Sequence, residues 1–290
     1  MAGNLLTKNH AVDSRQQYLI CVKCKSIFAN RQATQDELFQ HYASYYSPQN
    51  LHIPDVAKNS LAKTVSTFSE FRTKNNKICD IGFGAGALLE AAQAQSWECA
   101  GSEYSAEAIA IGRSRGWDVH QGDLTPLDLR GPYDVVAIVE TLEHVQNPRE
   151  LLLSASYRLR RGGLLYGTTP NAGSLNALIL KQEWSVISYP EHPILLSKKA
   201  ITSLLVEAGF GEISVKSRGL NPYDLITKFR IASKSKRSQN VNDLGRVDFG
   251  YNLNSTFSKN FVMRAIKVMI TAILAKTNIG DSLVFSAVKN

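Results

Sequence analysis

Cysteine is scarce in this chain: four thiols, at positions 21, 24, 79 and 99, are spread over 290 residues. They are too few and too scattered for a disulfide scaffold. Cys79 and Cys99 sit in apolar runs, where thiols act as small hydrophobes, and the composition fits a reducing cytoplasm. Long uncharged apolar runs are missing too. No stretch reaches the ~18 residues that a membrane span needs, and the polar start (Asn4, Lys8, Asn9, His10) has no apolar core of signal-peptide length. Acidic residues are sparse in one segment above all. Residues 216–276 hold twelve Lys or Arg against three Asp, a local charge of +9 within a chain of net charge +8. The rest is therefore close to neutral, and the basic character belongs to one segment. No RNA-binding module or Arg-rich aromatic platform accompanies it. The apolar share of 44% is ordinary for a globular protein, and the length allows a substantial core.

What is present begins with Ile78-Cys-Asp-Ile-Gly-Phe-Gly-Ala-Gly-Ala87, an apolar run, an acid and three alternating glycines. The pattern predicts a strand end, a tight loop and a helix over Leu88–Gln95. Gly82, Gly84 and Gly86 have no Cβ to keep a ligand from the backbone. Free amides at the start of the helix favour an anionic group. Gly82, Gly84 and Ala87 also satisfy the dinucleotide pattern. Asp80 decides between the two ligands, since an acid before the loop repels a pyrophosphate and suits the cationic amino-acid end of S-adenosylmethionine (SAM).

Three further segments agree. Trp97–Glu103 reads as a second strand ending in an acid that can accept both hydroxyls of a ribose. Trp117–Asp123 reads as a short third strand with Asp123 at its tip, placed to accept from an adenine amine. Tyr133–Val139 is a buried parallel strand, followed by Glu140-Thr-Leu-Glu-His-Val145. In this order the motifs resemble class I SAM-dependent methyltransferases, most closely the ubiquinone-biosynthesis type O-methyltransferases and their bacterial relatives. The resemblance covers roughly residues 75–218, including the Leu159–Asn171 Gly-Gly element and Glu191–Phe210. It implies that Asp80, Gly82, Gly84 and Gly86 hold the methionine part of SAM, that Glu103 meets ribose and that Asp123 meets adenine.

The implied fold is α/β, a Rossmann-like, doubly wound, seven-stranded and mostly parallel sheet. An N-terminal helical extension with a partial CxxC knuckle (1–62) precedes the SAM-binding core (63–219). A basic helical insertion (220–280) separates the core from its last strand (281–290). The expected helices include Asp36–Tyr46, with Tyr42, Tyr45 and Tyr46 packing on the core or forming a lid. Phe261–Ile279 is another, and its wide apolar face needs a partner: the core, a second subunit or a membrane surface.

If Glu140, Glu143 and His144 begin a helix, their i, i+3, i+4 spacing puts them on one face, beside the ligand crevice of an open α/β sheet. With His192 they make a candidate divalent-metal site. The Glu-x-x-Glu-His pattern with a distant His resembles that of small-RNA 2′-O-methyltransferases, where it holds Mg²⁺. Such a cation lowers the pKa of a bound hydroxyl and fixes its oxygen. Without metal, His144 is a candidate general base. A structural reading also stands, because acids are favoured in a first helical turn whatever their role. Cys21-Val-Lys-Cys24 resembles one knuckle of a zinc ribbon, and residues 1–20 lack the first knuckle, so a metal-free remnant is expected.

The expected function is SAM-dependent methylation of a hydroxyl. The favoured acceptor is a small molecule or glycan, a lipid-linked one comes second and RNA third. The place of action is the cytoplasm, with peripheral contact at the inner membrane surface through the basic insertion. A non-catalytic SAM-binding module is the competing class, and oligomeric state stays open.

Overall fold

The computed structural model describes residues 18–34, 37, 55–122, 131–219, 221 and 277–290. Asp123, the helices expected over 36–46 and over most of 261–279, and most of the basic segment lie outside these residues.

The main sheet has seven strands: β3 (Lys77–Ile81), β4 (Glu98–Glu103), β5 (Asp118–Gln121), β6 (Tyr133–Val139), β7 (Leu159–Pro170), β9 (Phe210–Arg218) and β10 (Ser282–Lys289). Their spatial order is β5-β4-β3-β6-β7-β10-β9. From β5 to β7 the pairs are parallel, and β10 runs antiparallel to both β7 and β9. This is the expected doubly wound sheet. Its central strand explains itself: Tyr133 to Ile138 are all buried, as a parallel strand covered on both faces requires. The chain leaves β3 toward β4 and β5, then returns to β6 on the other side. The ligand crevice of such a sheet opens at that reversal, beyond the carboxyl ends of β3 and β6.

Helices cover both faces. On one side α1 (Asp55–Thr67), α2 (Ala87–Gln93) and α3 (Ala106–Ser114) close a core around Val65, Leu89, Ile109 and Trp117. On the other, α4 (Pro148–Arg158) and α6 (Lys198–Glu207) bury Leu152, Ile201 and Leu205 against Ile138, Leu165 and Phe285. Ser105 and Ser197 cap their helices by accepting from Ala108 N–H and Ala200 N–H.

Two expectations change. Helix α1 starts at Asp55, so it crosses the 62/63 boundary drawn from sequence. The extension is also not helical throughout: residues 55–62 are, whereas 18–34 form strands and turns. Residues Tyr18–Ile20 (β1) and Ile27–Ala29 (β2) form a hairpin, and β8 (Ile194–Leu195) adds a third antiparallel strand to it. Ile27, Trp184, Val186 and Leu195, with Ala177 and Leu180 of α5 (Leu175–Leu180), form a separate small core beneath. Runs of two or three residues are too short to show a period of two in sequence, and these strands exist because they pair with one another.

Candidate active site

The glycine loop leaves β3 with Gly82, Gly84 and Gly86 all at positive φ (+71°, +51° and +77°). Sequence reasoning assigned all three to the ligand. The structure divides them. A Cβ on Gly82 would lie 2.5 Å from Thr141 Oγ1, and one on Gly86 would lie 2.5 Å from the Trp117 ring. One on Gly84 would meet nothing within 4 Å among the described residues. Gly82 and Gly86 are therefore closely packed against other side chains, and Gly84 alone of the three has open space at that position among the described residues.

Asp80 is buried near the end of β3, and its Oδ1 has no hydrogen-bond partner among the described residues. Burial, reinforced by the charge of Glu103, raises its carboxyl well above the usual range. Glu103 sits equally deep at the end of β4 but is engaged. Its Oε2 accepts from Gly84 N–H at 2.9 Å, and its Oε1 from Tyr104 N–H at 2.6 Å and Ser105 N–H at 3.3 Å. These bonds tie the glycine loop to β4.

Beyond β6 the chain does not enter a helix. Glu140 takes a φ of +50°, residues 142–144 form a turn, and α4 begins only at Pro148. Asn147 sets that start: its side chain accepts from Glu150 N–H at 3.3 Å, and Pro148 fills the first helical position, where no N–H is needed. The helical-face argument for Glu140, Glu143 and His144 is thus wrong in form. The turn nevertheless brings two of the three together with His192. Glu143, His144 and His192 each offer a ligand atom, all within 4.8 Å of one another. Glu140 is not in that set. Its side chain reaches Glu143 and borders a neighbouring cavity.

Each member is oriented from outside the set. Thr169 Oγ1 donates to Glu143 Oε2 at 2.9 Å. Burial and then the nearby Glu140 charge raise the Glu143 carboxyl well above its usual range. His144 Nδ1 lies 3.0 Å from Glu191 O, and His192 Nδ1 lies 2.7 Å from Val186 O. A carbonyl only accepts, so each neutral ring carries its hydrogen on Nδ1 and keeps a lone pair on Nε2. This is how second-shell carbonyls prepare imidazoles for a cation. The turn is also tied to the end of β3, from which the glycine loop leaves, since Thr141 Oγ1 donates to Ile81 O at 3.1 Å.

The N-terminal hairpin builds the wall that carries His192. Tyr18 OH donates to His192 O at 2.9 Å, Ala29 N–H to Pro193 O at 2.8 Å, and Ser197 N–H to Ser26 Oγ at 3.1 Å. Cys21 and Cys24 form its turn. Burial alone would raise the Cys21 thiol, but hydrogen bonds from Cys24 and from the Lys23 and Lys25 amides outweigh it and lower the pKa. Tyr18, Thr169 and Glu191 escaped the sequence reading because a hydroxyl or a backbone carbonyl that braces a ligand carries no motif.

A family model described as a methyltransferase domain matches residues 55–215. Among curated relatives, the ubiquinone biosynthesis O-methyltransferase of Cronobacter sakazakii is 28% identical over 111 residues, covering 36% of this chain and 46% of that protein. Its namesake from Haemophilus ducreyi is 30% identical over 121 residues, covering 36% and 51%. The match thus spans about half the length of these relatives. Among solved structures, a SAM-dependent methyltransferase from Archaeoglobus fulgidus aligns with a TM-score of 0.52 at 18% identity, over 80% of this chain and 94% of that one. Phosphoethanolamine N-methyltransferase 2 from Haemonchus contortus, solved with SAM, gives 0.51 at 16% identity, over 91% and 61%. At such identities these structures share the fold.

Proposed function

The chain belongs to the methyltransferase-domain family, with the fold of class I SAM-dependent methyltransferases, and on that premise we propose that it transfers a methyl group from SAM to a hydroxyl. The acceptor is a small molecule, a glycan or a lipid-linked compound, and a divalent cation on Glu143, His144 and His192 assists. The observation that carries this reading is the convergence of those three side chains beside the glycine loop.

The residues present fit both SAM and a divalent cation. Asp80 Oδ1 is a buried acceptor that needs a donor, which an amino-acid ammonium supplies, and Gly84 leaves the backbone open beside it. Two Nε2 lone pairs and one carboxylate suit a borderline divalent ion at least as well as Mg²⁺. When bound, SAM supplies an electrophilic methyl group, and a divalent cation supplies a Lewis acid that acidifies a hydroxyl. The protein's own part is alignment. Glu103 fixes the loop that presents Gly84, Thr141 locks the turn of Glu140–His144 to β3, and Thr169 and two backbone carbonyls hold the three ligands. The curated relatives are named O-methyltransferases, which supports oxygen as the acceptor atom.

With its hydrogen on Nδ1, the His144 imidazole equally suits a general base without metal. Exhaustive EDTA treatment separates the readings. Loss of turnover, restored by Mg²⁺ or Mn²⁺, supports the cation, whereas full activity after chelation removes it and leaves His144 as base. Incubation with methyl-labelled SAM and a host extract, split into small-molecule, glycan, lipid and RNA fractions, names the acceptor class. No label in any fraction, with SAM bound, would point to a non-catalytic SAM-binding module.

A further inference from the structure

Glu191 touches both histidines of the cluster, through two different atoms. Its backbone carbonyl accepts from His144 Nδ1 at 3.0 Å, and its side-chain Oε1 lies 3.9 Å from His192 Nε2. The two imidazole rings meet at a tilt of 56°, with centroids 4.7 Å apart. Glu191 lies in a turn (189–191), where a glutamate is ordinarily in water, yet it is 5% exposed. Glu140, the other carboxylate near Glu143, is exposed. Two buried carboxyl groups, Glu143 and Glu191, thus accompany the two rings. The hairpin closes over the same turn. Tyr18 OH donates to His192 O, and burial, followed by the Glu191 charge, raises the Tyr18 phenol above its usual range. With the His192 hydrogen on Nδ1, its Nε2 lone pair and the Glu191 carboxylate oxygen are two acceptors side by side in a buried place. Such an arrangement is costly unless a positive charge lies beside it.

We propose that Glu191 is a positioning residue of the cation site: its carboxylate joins Glu143 in balancing a divalent ion on Glu143, His144 and His192, while its carbonyl keeps His144 turned toward that ion. This rests on the cation reading of the site. Two buried carboxylates match the two charges of the ion, whereas Glu143 alone leaves one of them uncompensated. Glu191 is not in the set whose ligand atoms lie within 4.8 Å of one another, so it acts on the ion through its field and through His192 rather than as a ligand. One residue of the turn thereby orients one histidine and supplies charge beside the other.

The test is Mn²⁺ titration of the full chain, with free Mn²⁺ read by electron paramagnetic resonance. Glu191→Gln removes the charge and keeps the backbone carbonyl. It should weaken Mn²⁺ binding about 10–100-fold at unchanged S-adenosylhomocysteine affinity. Glu191→Asp restores the charge and should recover part or all of that loss, which a packing role would not produce. Affinity in folded Glu191→Gln within about twofold of wild type, or Glu191→Asp as weak as Glu191→Gln, overturns the proposal. If Glu191→Gln does not fold, the wild-type chain with ¹³C-labelled glutamate decides. Bound Mn²⁺ should then erase the Glu191 carboxyl signal, assigned by its loss in Glu191→Asp, and a signal that stays sharp overturns the proposal. A wild-type chain that binds no Mn²⁺ at millimolar concentration sinks the cation reading and this proposal together, whereas a bound ion indifferent to Glu191 sinks the proposal alone.

Discussion

Replacing Gly84 and Gly86 separately by alanine should separate ligand binding from stability, because the structure gives the two glycines different neighbours. Both hold left-handed backbone, for which a residue with a Cβ costs about 1–2 kcal/mol. At Gly84 that is the whole cost, since the new methyl meets nothing within 4 Å among the described residues. At Gly86 it would stand 2.5 Å from Trp117 Cζ3 and 2.7 Å from Cη2. Trp117 is 4% exposed and stacked edge-on to Phe83 with centroids 6.1 Å apart, so it cannot retreat freely. Overpacking of this kind adds about 1–3 kcal/mol. Gly86→Ala should therefore lose about 2–5 kcal/mol in urea unfolding, and Gly84→Ala about 1–2 kcal/mol. Calorimetric titration with S-adenosylhomocysteine should give the reverse order, with affinity falling at least tenfold in Gly84→Ala and far less in folded Gly86→Ala. The double variant Gly86→Ala/Trp117→Leu should show a favourable coupling of about 1 kcal/mol or more, since the second change removes the obstacle. Equal unfolding costs, or equal losses of affinity, would refute the division of the loop.

Three further outcomes follow from the site and its surroundings. Asp80 carries a raised pKa, so between the unfolded value near about 4 and the folded one the native state holds a proton that the unfolded chain has released. Stability of the ligand-free protein should accordingly fall as pH rises across that window. Asp80→Asn should flatten the fall in thermal unfolding while losing S-adenosylhomocysteine binding; an unchanged pH slope would count against burial as the cause. Tyr18→Phe removes the hydroxyl that holds His192 O, and should weaken Mn²⁺ binding several-fold at unchanged S-adenosylhomocysteine affinity. Histidine-ring NMR should show His192 losing its single Nδ1–H tautomer, and an unaltered ring signal would show the hairpin to be mere packing. Arg160 Nε donates to Asp134 Oδ1 at 2.6 Å, and that side chain is fully buried. Arg160→Ala should cost about 2–3 kcal/mol in urea unfolding, under the 3–5 typical of fully buried pairs because Arg160 is a quarter exposed.

The seven-stranded, mostly parallel sheet was legible in the sequence. Apolar runs such as Tyr133–Val139 and glycines before helices are local signals, and a buried parallel strand advertises itself by composition. Asp80 was legible too, because an acid against a glycine loop is conspicuous, and its burial followed from its place at the end of a central strand. The candidate cluster was legible in its residues but not in its geometry. Glu143, His144 and His192 could be picked by chemistry, yet their meeting depends on a turn fixed by Asn147–Pro148 and on a loop braced from Tyr18. Only tertiary structure decided which glycines face outward, because that turns on where the side chains of Thr141 and Trp117 come to rest. It alone paired the N-terminal hairpin with residues 194–195, and set Asn176 beside an aspartate 105 positions away. Contacts of that span leave no periodicity behind: they are consequences of the folded sheet, and sequence records only the residues that meet there.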